Sequence, residues 1–119
     1  NYCHLLFFFS IFPQSLGRVP VLLPTAHAAV RSRLDRWFEQ QGVQPRIVGE
    51  FEDSALLKTF GASGMGVFPA PEMVHDELID RYAVKRIAHC EGVEEHFFAI
   101  DTEKKVLHPL VLRLLPVRR

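Results

Sequence analysis

The sequence is short of most features that would mark a specialised class of protein. Its two cysteines, Cys3 and Cys90, are too few for a disulfide framework and form no C-x-x-C pair, so the expected setting is a reducing cytosol. Neither charge is in excess. Fourteen Lys and Arg balance fourteen Asp and Glu, which leaves no basic face with which this chain could grip nucleic acid by itself. Long apolar runs are missing as well: the longest, Leu5 to Phe12, contains Ser10 and falls far short of the roughly 20 residues needed to span a bilayer. No basic segment precedes it and no A-x-A site follows, so it does not read as a signal peptide. Internal repeats and low-complexity segments are absent. What remains, 48% hydrophobic and 24% charged residues, describes one ordinary globular domain or a piece of one, with no membrane partner and a cytoplasmic location expected.

Phosphate-binding signatures are also missing. The glycine-rich stretch "FGASGMGVFPAP", Phe60 to Pro71, follows a predicted helix and precedes a predicted strand, the reverse of the strand-to-helix order of a dinucleotide or P-loop site. Gly61 or Gly64 is expected to end the helix in the left-handed conformation, and Gly66 to mark a close approach of strand and helix. "GASGM" places Met65 where a nucleophile elbow needs its last glycine, so Ser63 reads as a solvated turn residue.

The patterns that are present alternate. "VPVLLP", Val19 to Pro24, is a proline-bounded apolar run suited to a buried parallel strand. Thr25 is the expected N-cap of a helix whose Val30, Leu34, Trp37 and Phe38 form an apolar stripe, with Arg31 and its charged neighbours on the solvated face and Gly42 as the stop. "PRIVGEFE" follows as a second buried strand centred on Ile47 and Val48. Asp53 is placed to cap "SALLKTFGAS". A third strand at Val67 and Phe68, a helix "EMVHDELIDRY" opened by Pro71, strands "AVKRIA" and "HFFAI", and a closing helix "HPLVLRLL" with Pro109 at its start complete the pass. Strands alternating with helices imply an α/β fold with a mainly parallel sheet flanked by helices. Residues 1–12 fit this pattern poorly and are expected to be a truncated or incompletely represented segment; 13–119 form the domain.

Two groups of residues bear on chemistry. His89, Cys90 and His96 could ligate a metal, but their spacing matches no common zinc pattern and adjacent strand residues face opposite ways; they read as isolated polar residues near a strand end. "GEFEDS" brings Glu50, Glu52, Asp53 and Ser54 together at a strand-to-helix junction, with Thr25 at the matching end of the previous strand. In open α/β sheets ligands bind at these carboxyl ends. Two readings stand: Asp53 caps a helix beside solvated glutamates, or the oxygen-rich loop holds a hard cation or small ligand. No base and nucleophile accompany it, which favours binding over catalysis.

From about Phe12 to Leu115 the chain resembles the effector-binding (substrate-binding) domain of LysR-type transcriptional regulators, and among them the NhaR-like regulators of sodium/proton antiporter genes. The resemblance rests on the proline-ended strand, "LDRWFEQQG", "GEFEDSALLKTFG", the turn into "GVFPAP", "EEHFFAI" and "HPLVLRLL". It implies a periplasmic-binding-protein-like subdomain, the second regulatory subdomain of such a regulator, sensing a small-molecule or ion effector, with sodium or lithium as one form of that effector. It further implies a transcriptional activator working as a homodimer or homotetramer, no catalytic residues and no cofactor, and DNA contact only through an N-terminal winged helix-turn-helix not in this chain. Carried over by position, the effector cleft falls on Thr25 and Ala26, on Phe51, Glu52, Asp53 and Ser54, and on Phe68 and Pro69, with Glu50, Glu52 and Asp53 as the candidate sodium ligands. The rivals are a solute-binding protein of similar architecture, which should carry an export signal, and a small α/β enzyme, which would need Ser54, His27 and Asp53 to converge.

Overall fold

After a short 3-10 turn (Gln14–Gly17), the chain forms β1 (Pro20–Pro24), α1 (Ala29–Gln41), β2 (Arg46–Phe51), α2 (Ser54–Ala62) and β3 (Phe68–Pro71). A second 3-10 turn (Glu72–Val74), α3 (His75–Arg81), β4 (Val84–Cys90) and β5 (Glu95–Ile100) follow. The structure, a computed structural model, describes residues 12–100. Cys3, the rest of the N-terminal segment and the expected closing helix at Pro109 lie outside the described residues.

β1 and β2 pair in parallel. Val67 continues the parallel order on the other side of β1, where Leu22 N–H donates to Val67 O (2.8 Å) and Val67 N–H to Pro20 O (3.0 Å). Beyond β3 the direction changes: β5 lies between β3 and β4 and is antiparallel to both. The sheet is therefore mixed, not mainly parallel as expected. The reason is connection length. Only residues 91–94 separate β4 from β5, enough for a hairpin but not for the dozen or more residues of a parallel crossover.

The strand alternation sends side chains to two cores. Val21, Leu23, Val67, Phe97 and Ala99 meet Leu34, Trp37 and Phe38 of α1 on one face. Leu22, Phe68, Ala70 and Phe98 meet Leu57 of α2 and Leu78 of α3 on the other. β2 departs from the expectation of a buried strand: Ile47 and Val48 are 38% and 46% exposed. Among the described residues β2 pairs only with β1, and its outer edge has no strand partner among them.

Cap positions are partly as expected. α1 starts from Ala28 rather than Thr25, because residues 25–28 first make a turn in which Ala28 N–H donates to Thr25 O. At its end Gly42 is left-handed (φ 69°), with Gly42 N–H donating to Glu39 O and Val43 N–H to Phe38 O, the double closure that satisfies two orphan carbonyls. α2 starts at Asp53, whose carboxylate accepts from Ala55 N–H (2.7 Å) and Leu56 N–H (3.4 Å). It closes through Gly64, not Gly61: Gly64 has φ 92° and donates to Gly61 O, while Met65 N–H donates to Phe60 O. Gly61 has another function, since a Cβ there would overlap the buried Phe68 ring. The close helix-to-strand approach is thus at Gly61, whereas Gly66 abuts the backbone of β1 at Pro20 O.

Candidate functional site

The carboxyl ends of β1, β2 and β3 open into a cavity of about 280 Å³. Of the residues expected at a cleft, Phe51, Glu52, Ser54 and Pro69 line it. Thr25 and Ala26 do not: the wall there is made by Pro24 and by Ala28 at the start of α1, because the turn at 25–28 carries Ala26 outward to an exposed position. Phe68 is fully buried, stacked on Phe98 at 5.9 Å between ring centroids, and belongs to the core. Asp53 faces the backbone of its own helix.

The candidate sodium ligands do not converge. Glu50 accepts from Arg31 at 2.6 Å, Asp53 holds the start of α2, and only Glu52 of the three lines the cavity. Among the described residues no group of three or more His, Cys, Asp and Glu is arranged to hold a metal ion. Ser54, His27 and Asp53 are likewise not joined to one another by any hydrogen bond among the described residues, and His27 is exposed in the turn after β1.

Arg31 is the residue that organises this end of the sheet, and it was expected on the solvated face. Its side chain is 10% exposed. It donates to Asp35 Oδ1 (2.9 Å), Glu50 Oε2 (2.6 Å) and Pro24 O (2.8 Å), so one guanidinium ties α1 to the ends of both β1 and β2. Burial opposes its charge, but the bonds to Asp35 and Glu50 outweigh that and raise its pKa. The signal lay in the spacing: Arg31, Leu34 and Phe38 sit at i, i+3 and i+7, on one helical face.

Two charged groups of α1 and β5 complete the cavity. Arg33 and Glu95 both line it. Glu95 is 6% exposed, and burial pushes its carboxyl up to about 7, with Arg33 acting in the opposite sense. Period-2 alternation could have found it, because Glu95 shares a strand face with Phe97 and Ala99, both of which meet the α1 core. Lys58 on α2 adds a second basic group to the wall. An apolar floor with charges of both signs and a hydroxyl has the make-up common to pockets for small polar ligands. A larger, shallower depression of about 440 Å³ lies between α1 and β2, lined by Phe38, Val43 and Ile47 among others.

The histidines are not the isolated residues they were expected to be. The β4–β5 hairpin sets His89 directly opposite His96, with ring centroids 4.7 Å apart. Cys90 points to the other face, as expected from its adjacency, and is fully buried; burial first, then Glu95, pushes its thiol up to about 12, which makes it an inert core residue. His96 is held below the ordinary imidazole pKa by burial and then by His89 and Arg86.

Comparison with known proteins gives a consistent result. Residues 10–116 match the family of the LysR substrate binding domain. The "Transcriptional activator protein NhaR" of Escherichia coli (strain K12) is 35% identical over 103 residues, covering 87% of this chain and 34% of the relative. The "Nitrogen assimilation regulatory protein nac" of the same organism is 33% identical over 63 residues, 53% of this chain and 21% of the relative. The "HTH-type transcriptional regulator CzcR" of Bacillus anthracis is 26% identical over 89 residues, 75% of this chain and 30% of the relative. The matched region thus spans between about a fifth and a third of the length of these curated relatives. No solved structure matches it significantly.

Proposed function

The chain belongs to the LysR substrate-binding domain family, and we propose that it is the effector-sensing subdomain of a cytoplasmic, DNA-binding transcriptional regulator and not an enzyme. The observation that carries this is the cavity at the carboxyl ends of β1, β2 and β3, lined by Phe51, Glu52, Ser54, Pro69, Arg33 and Glu95. That edge is where open α/β sheets take ligands, and its polar groups are disposed for holding a ligand, with no activated nucleophile among them.

An effector seated there bridges residues of α1, α2 and β5. Its differential affinity for two arrangements of the regulator shifts their populations, and a coupling of about 1–3 kcal/mol changes operator affinity by roughly 5- to 150-fold. DNA contact is assigned to a winged helix-turn-helix outside this chain, in keeping with the balanced charge of the domain. The edge of β2 that has no strand partner among the described residues, with Ile47 and Val48 exposed, and the adjacent α1 are assigned to the contact between copies in a homodimer or homotetramer, since an unpaired strand edge readily takes a further partner. For a sodium or lithium response the cavity offers Glu52 and Glu95, because Glu50 and Asp53 are committed to Arg31 and to the start of α2.

The test is a cavity-filling Ser54→Trp variant of the intact regulator, read with a reporter on its target promoter. Output that the wild type varies between growth conditions should become fixed, while the affinity of the purified protein for promoter DNA in a gel shift is unchanged. A variant that still swings the reporter over the wild-type range would show that the cavity is not where the effector acts.

A further inference from the structure

A second cluster lies away from the cavity, on the opposite face of β5. Glu95 and His96 are adjacent on that strand and face opposite ways, so the two sites share a strand but not a surface. His96 is 3% exposed, and its Nδ1 is buried without a hydrogen-bond partner. Buried polar atoms are almost always paired, so such an atom calls for a specific explanation. Its other ring nitrogen, Nε2, lies 3.9 Å from Glu72 Oε1. His89 stands across the hairpin in direct register, with its ring 4.7 Å away. On the Glu72 side of its ring, His96 lines with His75 a depression of about 320 Å³ whose wall does not include His89.

We propose that His89 and His96 form a two-histidine site for a divalent late transition-metal ion, with Glu72 orienting His96 from behind. Directly opposed residues of an antiparallel pair have Cβ atoms about 4.5–5.5 Å apart, a span from which two imidazoles can reach one ion. His96 then coordinates through Nδ1, the atom that otherwise has no partner, and directs Nε2–H toward Glu72. That is the carboxylate–histidine–metal relay by which proteins fix the orientation of a ligating imidazole. Glu72 is on the exposed 3-10 turn and closes the remaining distance by a side-chain rotation. No three donors converge among the described residues, so water completes the coordination. Arg86 lines the same depression and its charge weakens the site, while Glu72 and Asp76 act against it. Imidazole ligands suit Zn²⁺, Cu²⁺ and Ni²⁺, and a hard ion such as Mg²⁺ is not held by two nitrogens.

The experiment is titration of the 119-residue chain with Ni²⁺, Zn²⁺ and Mg²⁺ by calorimetry, with imidazole NMR signals followed during the Ni²⁺ titration. Ni²⁺ and Zn²⁺ should bind while Mg²⁺ does not, and paramagnetic broadening should fall first on His89 and His96. His89→Ala changes an exposed side chain, keeps the fold, and should abolish binding at this site; Glu72→Gln should weaken it about tenfold. His27→Ala should bind like the wild type. Wild-type affinity in His89→Ala, broadening centred on any other histidine, or no binding of Ni²⁺ or Zn²⁺ by the wild type would overturn the proposal. None of these outcomes bears on the effector cavity, whose test uses a different variant and readout.

Discussion

Gly61→Ala is expected to destabilise the domain although it places the best helix former inside a helix. The propensity gain is at most about 1 kcal/mol. Against it stands the packing: a Cβ at Gly61 would overlap Phe68 Cδ1 and lie 2.5 Å from Cε1 and 2.8 Å from Cγ. Phe68 cannot step aside cheaply, since it is fully buried and stacked on Phe98. Overpacking of this kind costs about 1–3 kcal/mol. Because the overlap involves a ring held on both sides, the upper part of that range applies, and a net loss of about 2 kcal/mol is expected after the propensity gain. That corresponds to a fall in Tm of roughly 8 °C for a domain near this size. Thermal and urea unfolding of the single variants and of Gly61→Ala combined with Phe68→Leu provide the assay. In the Phe68→Leu background the ring is gone, so Gly61→Ala should cost little or become favourable, and the cycle should show a coupling of more than about 0.5 kcal/mol, the level at which neighbouring sites cease to be additive. An increase in stability from Gly61→Ala alone would refute the close approach of α2 to β3.

Asp53→Ala removes the carboxylate that caps Ala55 and Leu56 and should cost about 1 kcal/mol in urea unfolding, with Asp53→Asn close to wild type. Arg31→Met leaves Pro24 O and Glu50 without their donor; since Asp35 and Glu50 are about half exposed, solvent takes up part of the loss, and about 1–2 kcal/mol is expected. Arg31→Lys should not restore it, because an ammonium cannot reach three separated acceptors in the manner of the guanidinium fork. Glu95 gives a pH signature: its carboxyl rises from 4.5 to about 7 on folding, so the native state binds the extra proton between those values. Stability contributed by that proton is present below about pH 4.5 and is lost as pH rises to about 7. The stability difference between wild type and Glu95→Gln, followed from pH 4 to 8, should therefore slope downward through that window and flatten above it.

Much of the fold could be read from local chemistry. The proline-bounded apolar run, the Leu34–Trp37–Phe38 stripe, the Gly42 stop and the Asp53 cap each impose structure through their own few neighbours, and each stands where its pattern placed it. The sheet's direction was not readable in the same way. Apolar strands of four to seven residues fit parallel and antiparallel sheets equally, and only the shortness of residues 91–94 argues for a hairpin. Arg31 was placed on the solvated face by residue type and Glu95 was not singled out, although spacing puts both on core faces. The cavity's position followed from strand polarity, but its wall did not. Whether Thr25 or Ala28 lines it depends on a turn whose hydrogen bond, Ala28 N–H to Thr25 O, is not encoded by a strong turn residue. The histidine pair depends on cross-strand register, which the single sequence does not display.

We propose the carboxyl-end cavity as the ligand-binding surface of this subdomain. The most direct test is an amide NMR screen of the chain against small carboxylates, amino acids, and sodium and lithium chloride with potassium chloride as reference. Ligands that bind should shift the amides of residues 51–54 and of Ala70, Arg33 and Glu95, and Ser54→Trp should remove those shifts. Saturable binding that maps instead to the outer surface between α1 and β2, or that survives Ser54→Trp unchanged, would contradict it.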